Sequence, residues 1–118
     1  MVNSNKKKIS KTFIDFAQPF ISIVDKNTTE YQIKRGFEIA YTVWNAVVMD
    51  AVNRTDHYTT LLNQLTSDDP LASGLLKQMV VRKQMVFAED LRLIGEYKVT
   101  YKNGNLHVWA EARAAKPS

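Results

Sequence analysis

The dipeptide Asn103-Gly104 constrains the fold of this chain more than any other feature of its sequence. Asn-Gly is the preferred pair for a two-residue type I′ hairpin loop, because both positions of that loop need positive φ angles. Apolar and polar residues alternate on each side of the pair, as they do in strands with one buried face. A two-residue loop also fixes the register, so that the numbers of paired residues sum to 207. We therefore predict an antiparallel hairpin over residues 92–113.

This register sorts the side chains of the hairpin onto two faces. One face holds the apolar or small pairs Tyr101–Leu106, Val99–Val108, Tyr97–Ala110 and Gly95–Ala112. The other face holds the pairs Thr100–His107, Lys98–Trp109, Glu96–Glu111 and Ile94–Arg113. The loop chemistry and the alternation indicate the same register independently. Because a two-stranded hairpin is only marginally stable alone in water, its Tyr/Val face is predicted to pack on helices or on a partner.

Apolar residues with helical spacing predict about four helices before the hairpin. The first is expected to begin after Ser10, a favourable N-cap residue. Pro19 should kink or break it, because proline lacks a backbone N–H and clashes with the preceding turn. The second helix is expected to begin at Thr28 or Thr29 and to run to about Asn53.

The second predicted helix is apolar on most of its surface between Ile39 and Val52, which is typical of a buried central element. Its polar residues form a narrow line made of Lys34, Glu38, Tyr41 and Asn45. The sequence therefore predicts an α+β fold, mostly helical, with its helices packed around residues 30–53 and one C-terminal antiparallel hairpin.

Two further helices are predicted between the central helix and the hairpin. A short one covers His57 to Leu65, and the next begins at the capping pair Asp69-Pro70 and runs to about Phe87. In that last helix Leu71, Leu75, Met79, Val80 and Val86 are predicted to face inward, and Lys77, Arg82 and Lys83 to face outward. Gly74 is expected to allow close contact with a neighbouring helix.

Composition limits the classes of function. The length of 118 residues fits one domain, here residues 10–118 after a flexible basic tail at residues 1–9. The absence of cysteine excludes a disulfide framework, Cys-zinc sites and thiol catalysis. The sequence shows neither a signal-peptide pattern nor an apolar run long enough to cross a bilayer, so we expect a cytoplasmic protein without membrane contact.

The net charge of +4 is located at the N-terminus. Lys6, Lys7, Lys8 and Lys11 supply 4 of the 16 basic residues, which leaves 16 − 4 = 12 against 12 acidic residues elsewhere. A solvated tail is the simplest interpretation. Nucleic-acid binding through this lysine arm is the alternative, and it would weaken steeply with salt.

The remaining polar clusters do not predict catalysis, a metal or a cofactor. The two histidines, His57 and His107, lack any metal-binding spacing and are expected on the surface or at a cap. The adjacent acids Asp68 and Asp69 are explained by helix capping. Glu89 and Asp90 form a second adjacent pair at the end of a helix, for which a loop role is expected.

A candidate pocket lies beside the central helix at Trp44, Asn45 and Asp50. Buried Asn and Asp side chains need hydrogen-bond partners and can line a ligand site. The competing interpretation leaves Asn45 on the exposed polar line and pairs Asp50 with Arg54 one helical turn later. A small-molecule or enzymatic function at this pocket is therefore an alternative to the interaction function described next.

A candidate interaction surface lies on the outer hairpin face, at Lys98, Thr100, His107 and Trp109. Trp109 lies within cation–π reach of Lys98, and exposed aromatic residues are enriched at interfaces. The competing interpretation is that a helix or the N-terminal tail covers this face. The open edges of a lone hairpin also favour strand pairing with another chain. The leading prediction is therefore a non-enzymatic protein-interaction or regulatory module that binds a protein partner or forms a homodimer.

Two segments, Val43–Val48 and Phe87–Tyr97, resemble parts of small uncharacterised bacterial proteins of a helical type with C-terminal strands. The resemblance covers 17 residues. It implies a bacterial origin and a domain without an assigned function, and it carries over no catalytic residue. It also implies that Trp44, Asn45, Asp90 and Arg92 are structural anchors or site residues.

Overall fold

A computed structural model describes residues 8–65 and 70–116 of the chain. It has an α+β fold that is mostly helical, which confirms the predicted fold class. Its elements in chain order are α1 (Ile9–Phe16), α2 (Gln18–Ile21), α3 (Glu30–Asn53), α4 (His57–Leu65), α5 (Pro70–Val86), β1 (Arg92–Lys102) and β2 (Asn105–Ala114). The predictions for Lys6, Lys7, Asp68 and Asp69 lie outside the described residues.

Helix α3 is the central element, as its apolar surface predicts. Thr29 caps it with a full capping box, in which Gln32 bonds back to the cap residue, and the helix ends at the predicted Asn53. It contacts α1, α4, α5 and β1. Phe37, Trp44 and Val48 on its inner side are fully buried.

The first helical segment divides at the predicted place. Helix α1 ends at Phe16 and α2 begins at Gln18, so that Pro19 lies in the first turn of a new helix where its missing N–H is harmless. Phe20 of α2 then packs directly on Gly36 of α3, where any added Cβ would overlap the Phe20 ring. The predicted N-cap role of Ser10 is wrong, because α1 already begins at Ile9 and the Ser10 hydroxyl bonds to β2 instead.

The hairpin turns at Asn103 and Gly104, whose φ angles of 53° and 78° confirm the type I′ chemistry. The predicted register holds from Lys102↔Asn105 to Tyr97↔Ala110.

Beyond Tyr97 the predicted register is wrong. A β-bulge between Ile94 and Tyr97 replaces the predicted pairs Gly95–Ala112, Glu96–Glu111 and Ile94–Arg113. The extra residue in β1 turns Ile94 to the inner face, where it pairs with Ala112 and is 2% exposed.

Three predictions about helix α5 are wrong, two about its faces and one about Gly74. Lys83, expected outside, is 1% exposed, whereas Val86, expected inside, is 63% exposed. A Cβ at Gly74 would meet nothing within 4 Å, so this glycine does not allow a close helix contact. Within the described ranges, no helix is both long and apolar enough to cross a membrane.

Candidate functional site

The four predicted interaction residues lie together on the outer face of the hairpin. Lys98 pairs with Trp109, and the next pair toward the turn is Thr100 with His107. All four side chains are exposed, and Trp109 keeps 46% of its surface in contact with solvent. A large aromatic ring therefore stands among three polar side chains on a face that no described element covers.

The cation–π contact expected between Lys98 and Trp109 is not among the cation–π contacts of the described residues. Those contacts place Arg82 over Phe87 and Lys83 over Trp44. Trp109 is therefore partly exposed beside a charged residue, Lys98, on the adjacent strand. Such a surface can bind a partner through apolar contact and through a cation.

The candidate pocket residues Trp44 and Asn45 connect α3 to the hairpin. The Trp44 indole N–H donates to the Arg92 carbonyl at 2.7 Å. The Asn45 amide donates to the Ile94 carbonyl at 2.9 Å and accepts from the Ile94 N–H at 2.8 Å. Asn45 therefore pairs with the edge of β1 as a neighbouring strand would, instead of continuing an exposed polar line.

Asp50 caps α4 from the neighbouring helix. Its carboxylate accepts the backbone N–H groups of Tyr58 at 3.1 Å and Thr59 at 2.9 Å, and the hydroxyls of Thr55 and Thr59. Burial alone would raise the pKa of Asp50, but these hydrogen bonds outweigh it and hold the pKa below its usual value. The carboxylate thus stabilises the first turn of α4 instead of pairing with Arg54.

Lys83 is a buried charge that the sequence pattern did not reveal. Its ammonium donates to the carbonyls of Phe87 at 2.6 Å and Asp90 at 2.8 Å, and it lies 4.3 Å from the centre of the Trp44 ring. Burial lowers its pKa to about 8, against the opposing effect of the Asp90 carboxylate. The one available signal was its position in the last turn of a helix, where cations bond the free carbonyls.

Asp90 and Arg92 form the ion pair at the entry to β1. The Arg92 guanidinium donates to both carboxylate oxygens, at 2.9 and 2.5 Å. Burial would raise the pKa of Asp90, but the bonds from Arg92 and the charge of Lys83 lower it overall. With Trp44 and Lys83, this pair fixes the start of the hairpin against α3 and α5.

A groove runs between α3 and the edge of β1. It has a volume of about 670 Å³ and is lined by Tyr31, Lys34, Arg35 and Glu38 of α3 and by residues 97–100 of β1. The α3 residues follow a spacing of three and four, so they lie on one side of that helix. Arg35 and Glu38 form an ion pair with each other. Volumes of this size are typical of ligand-binding clefts.

The three predicted pocket residues do not surround one cavity. Asp50 and Lys83 line a cavity of about 370 Å³. Asn45 lines a separate one of about 400 Å³ between α3 and α4. Trp44 is fully buried. Each of these residues already has hydrogen-bond partners in the protein, so their arrangement stabilises the fold.

In residues 8–65 and 70–116, no three His, Asp or Glu side chains are grouped so that they would hold a metal ion. Comparison of the chain with models of protein families, with curated proteins and with solved structures found no significant match.

Proposed function

We propose that the protein is a non-enzymatic interaction module that binds a partner protein through the outer face of its hairpin. The observation that carries the proposal is the exposed position of Trp109 beside Lys98, Thr100 and His107. Tryptophan is enriched at interface hot spots because its ring buries a large area at little cost in side-chain entropy. The polar neighbours supply the rim that such an interface needs.

The two tryptophans of the chain support this assignment by contrast. Trp44 is fully buried, and its N–H has a partner in the Arg92 carbonyl. Trp109 is 46% exposed and has no hydrogen bond to a described side chain and no ring contact among the described residues. The polar groups deep in the fold support a structural role, as the bonds of Asn45 and Asp50 illustrate. A binding role is therefore best supported at the outer hairpin face.

A quantitative pull-down from a lysate of the native host tests this proposal. The baits are the wild type, Trp109→Ala and the control Met85→Ala, which removes another exposed apolar side chain at 78% exposure on α5. We expect a set of proteins that the wild type and Met85→Ala retain and that Trp109→Ala loses at least tenfold. Equal retention by all three baits would contradict the proposal.

Sedimentation of the same three proteins tests the homodimeric form of the proposal. A partner that is a second copy of the chain predicts a concentration-dependent dimer for the wild type and Met85→Ala. Trp109→Ala should then stay monomeric at the same concentrations. A dimer that survives Trp109→Ala would place the self-association on another surface.

A further inference from the structure

The middle of the β1 edge has backbone N–H and C=O groups that no described side chain bonds. Ala110 directs its N–H and C=O away from β1, since both bond the Ser10 hydroxyl, at 2.9 and 3.1 Å. Ala110 and its partner Tyr97 therefore form a pair without mutual hydrogen bonds. Because such pairs alternate along an antiparallel ladder, Val99 and Tyr101 also direct their backbone groups outward from β1.

The outward backbone groups of β1 bond side chains at both ends of the strand, but no described side chain bonds those in the middle. Asn45 takes both backbone groups of Ile94, and the Glu30 carboxylate accepts the Tyr101 N–H at 3.4 Å. Among the described residues, no side chain bonds the outward N–H and C=O groups of Tyr97 and Val99. Two donors and two acceptors of β1 therefore lack a described partner, at the half-buried Tyr97 and at Val99, which is 6% exposed, and both residues line the groove between α3 and β1.

Helix α3 runs beside this edge for the whole distance between Glu30 and Asn45. Fifteen helical residues span about 22 Å, and the seven residues from Ile94 to Tyr101 span about 23 Å of strand. The helix and the strand therefore lie side by side in opposite directions, joined at both ends by a side chain. The 670 Å³ groove lies between the contact of Asn45 with Ile94 and the contact of Glu30 with Tyr101.

The groove has an excess of positive charge. Glu38 is paired with Arg35, whereas Lys34 and Lys98 are exposed and form no ion pair with any described carboxylate. Lys98 stands on the outer face of β1, and Lys34 stands on the groove side of α3. Successive side chains of an added strand point to opposite sides. Acidic side chains on one side would therefore lie near Lys98, and those on the other side near Lys34.

We propose that this groove binds an extended acidic peptide segment, which adds a third strand to the free edge of β1. Main-chain hydrogen bonds to Tyr97 and Val99 supply affinity for any extended peptide, and Lys34 and Lys98 select peptides with acidic side chains. The exposed ring of Tyr31, at the rim of the groove, adds an apolar contact. The proposal goes beyond the outer-face function and does not need Trp109.

Fluorescence anisotropy with a defined probe tests the peptide site. The probe is a fluorescein-labelled, acetylated and amidated hexapeptide of alternating glutamate and valine. The matched peptide has lysine in place of glutamate, and a third peptide carries N-methyl groups on every second residue to remove its strand-pairing N–H groups. We expect binding of the acidic probe alone, with at least a tenfold loss on N-methylation at the pairing positions.

Charge reversal of lysines in the protein tests the same site by changing the protein instead of the peptide. Lys34→Glu and Lys98→Glu change exposed side chains, and each should weaken binding of the acidic probe at least threefold. Lys26→Glu is the control, because it makes the same change of charge in an exposed loop away from the groove. Trp109→Ala should leave the affinity unchanged, which separates this proposal from the outer-face function.

Amide hydrogen exchange locates the contact. Saturation with the acidic probe should slow the exchange of the Tyr97 and Val99 amides, since these would gain acceptors. Four results would each overturn the proposal: no binding of the acidic probe, equal binding of the lysine peptide, an equal loss of affinity in Lys26→Glu, or Tyr97 and Val99 amides that the probe leaves unprotected. Protection of these amides in a dimer without peptide would also overturn it, since a second copy would then occupy the edge.

Discussion

The two ends of the hairpin differ in the hydrogen-bond partners of the backbone groups at their strand edges. At the base, which comprises residues 92–95 and 110–114, the Asn45 amide fills the edge of β1 and the Ser10 hydroxyl fills the edge of β2. At the tip, residues 97–109, the one described side-chain bond to an edge is the long contact from Tyr101 to Glu30. Open edges are sites of strand pairing.

Because of this difference, the base of the hairpin is expected to contribute to the stability of the fold and the tip to binding. Ile94 and Ala110 at the base are buried, so an unpaired backbone group at either residue would lower the stability of the fold. At the tip, no described side chain bonds the outward backbone groups of Tyr97 and Val99, so these groups can pair with an added strand. Substitutions at the base should therefore destabilise the protein, whereas those at the tip should act mainly on binding.

The largest expected effect is at the base, in Asn45→Ala. This change leaves the N–H and C=O of the buried Ile94 without partners, and each such group costs about 1–3 kcal/mol. We expect a loss of about 3 kcal/mol in the free energy of unfolding, measured by urea denaturation. Thr42→Ala, an exposed change on the same helix, is the control and should have an effect below about 0.5 kcal/mol. Similar results for the two variants would refute the role of the base.

The next effect is a pH dependence at Lys83, whose ammonium holds the Asp90 carbonyl just before β1. Its folded pKa of about 8 lies below its ordinary value of 10.5. Between these values the unfolded state binds more protons than the folded state, so the free energy of unfolding rises with pH. From pH 7.5 to 9.5 the rise should be about 2 kcal/mol.

Lys83→Met should remove this rise, as urea denaturation at pH 7.5, 8.5 and 9.5 would reveal. The range stops below the titration of Tyr97, whose pKa burial raises, because that group acts in the opposite direction at higher pH. A wild type with flat stability over this range would show that Lys83 keeps its proton in the fold. The Phe87 and Asp90 carbonyls would then stabilise the charge fully.

A smaller loss is expected at the other edge of the base, in Ser10→Ala. The hydroxyl serves both backbone groups of Ala110, and its removal should lower the free energy of unfolding by about 1–2 kcal/mol. Amide exchange at Ala110 should accelerate in the same variant. Ser22→Ala is the control, since that hydroxyl bonds only the nearby Pro19 carbonyl on the surface. An unchanged exchange rate at Ala110 would show that the edge of β2 is protected by α1 without Ser10.

The same division between tip and base explains what the sequence could predict. The tip is set by local chemistry, because Asn103 and Gly104 determine both the turn and the register next to it. The base is set by partners far along the chain: Asn45 bonds a residue 49 positions away, and Ser10 one 100 positions away. Periodicity does not report such contacts, so the bulge at residues 94–97 and the edge role of Asn45 were missed.

Lys83 and Ser10 illustrate the same limit for single residues. Hydropathy places a lysine outside, but the Phe87 and Asp90 carbonyls just after α5 and the face of Trp44 stabilise its charge inside. Ser10 has the chemistry of an N-cap, yet the helix begins before it and its hydroxyl meets a strand. The alternation of side chains along the strands predicted which residues share the outer face, but not that this face is exposed, because a helix or the tail could have covered it.

The smallest expected effect is at the turn, in Gly104→Ala. The φ angle of 78° at this position is unfavourable for a residue with a Cβ, so the substitution should lower the free energy of unfolding by about 1 kcal/mol. Gly74→Ala is the matched control in α5, where the added Cβ meets nothing and the φ angle is not positive. It should raise stability by about 0.5–1 kcal/mol, because alanine favours the helix. If Gly104→Ala instead cost as much as Asn45→Ala, the tip would be as tightly coupled to the core as the base, and its edge would not be independent of the fold.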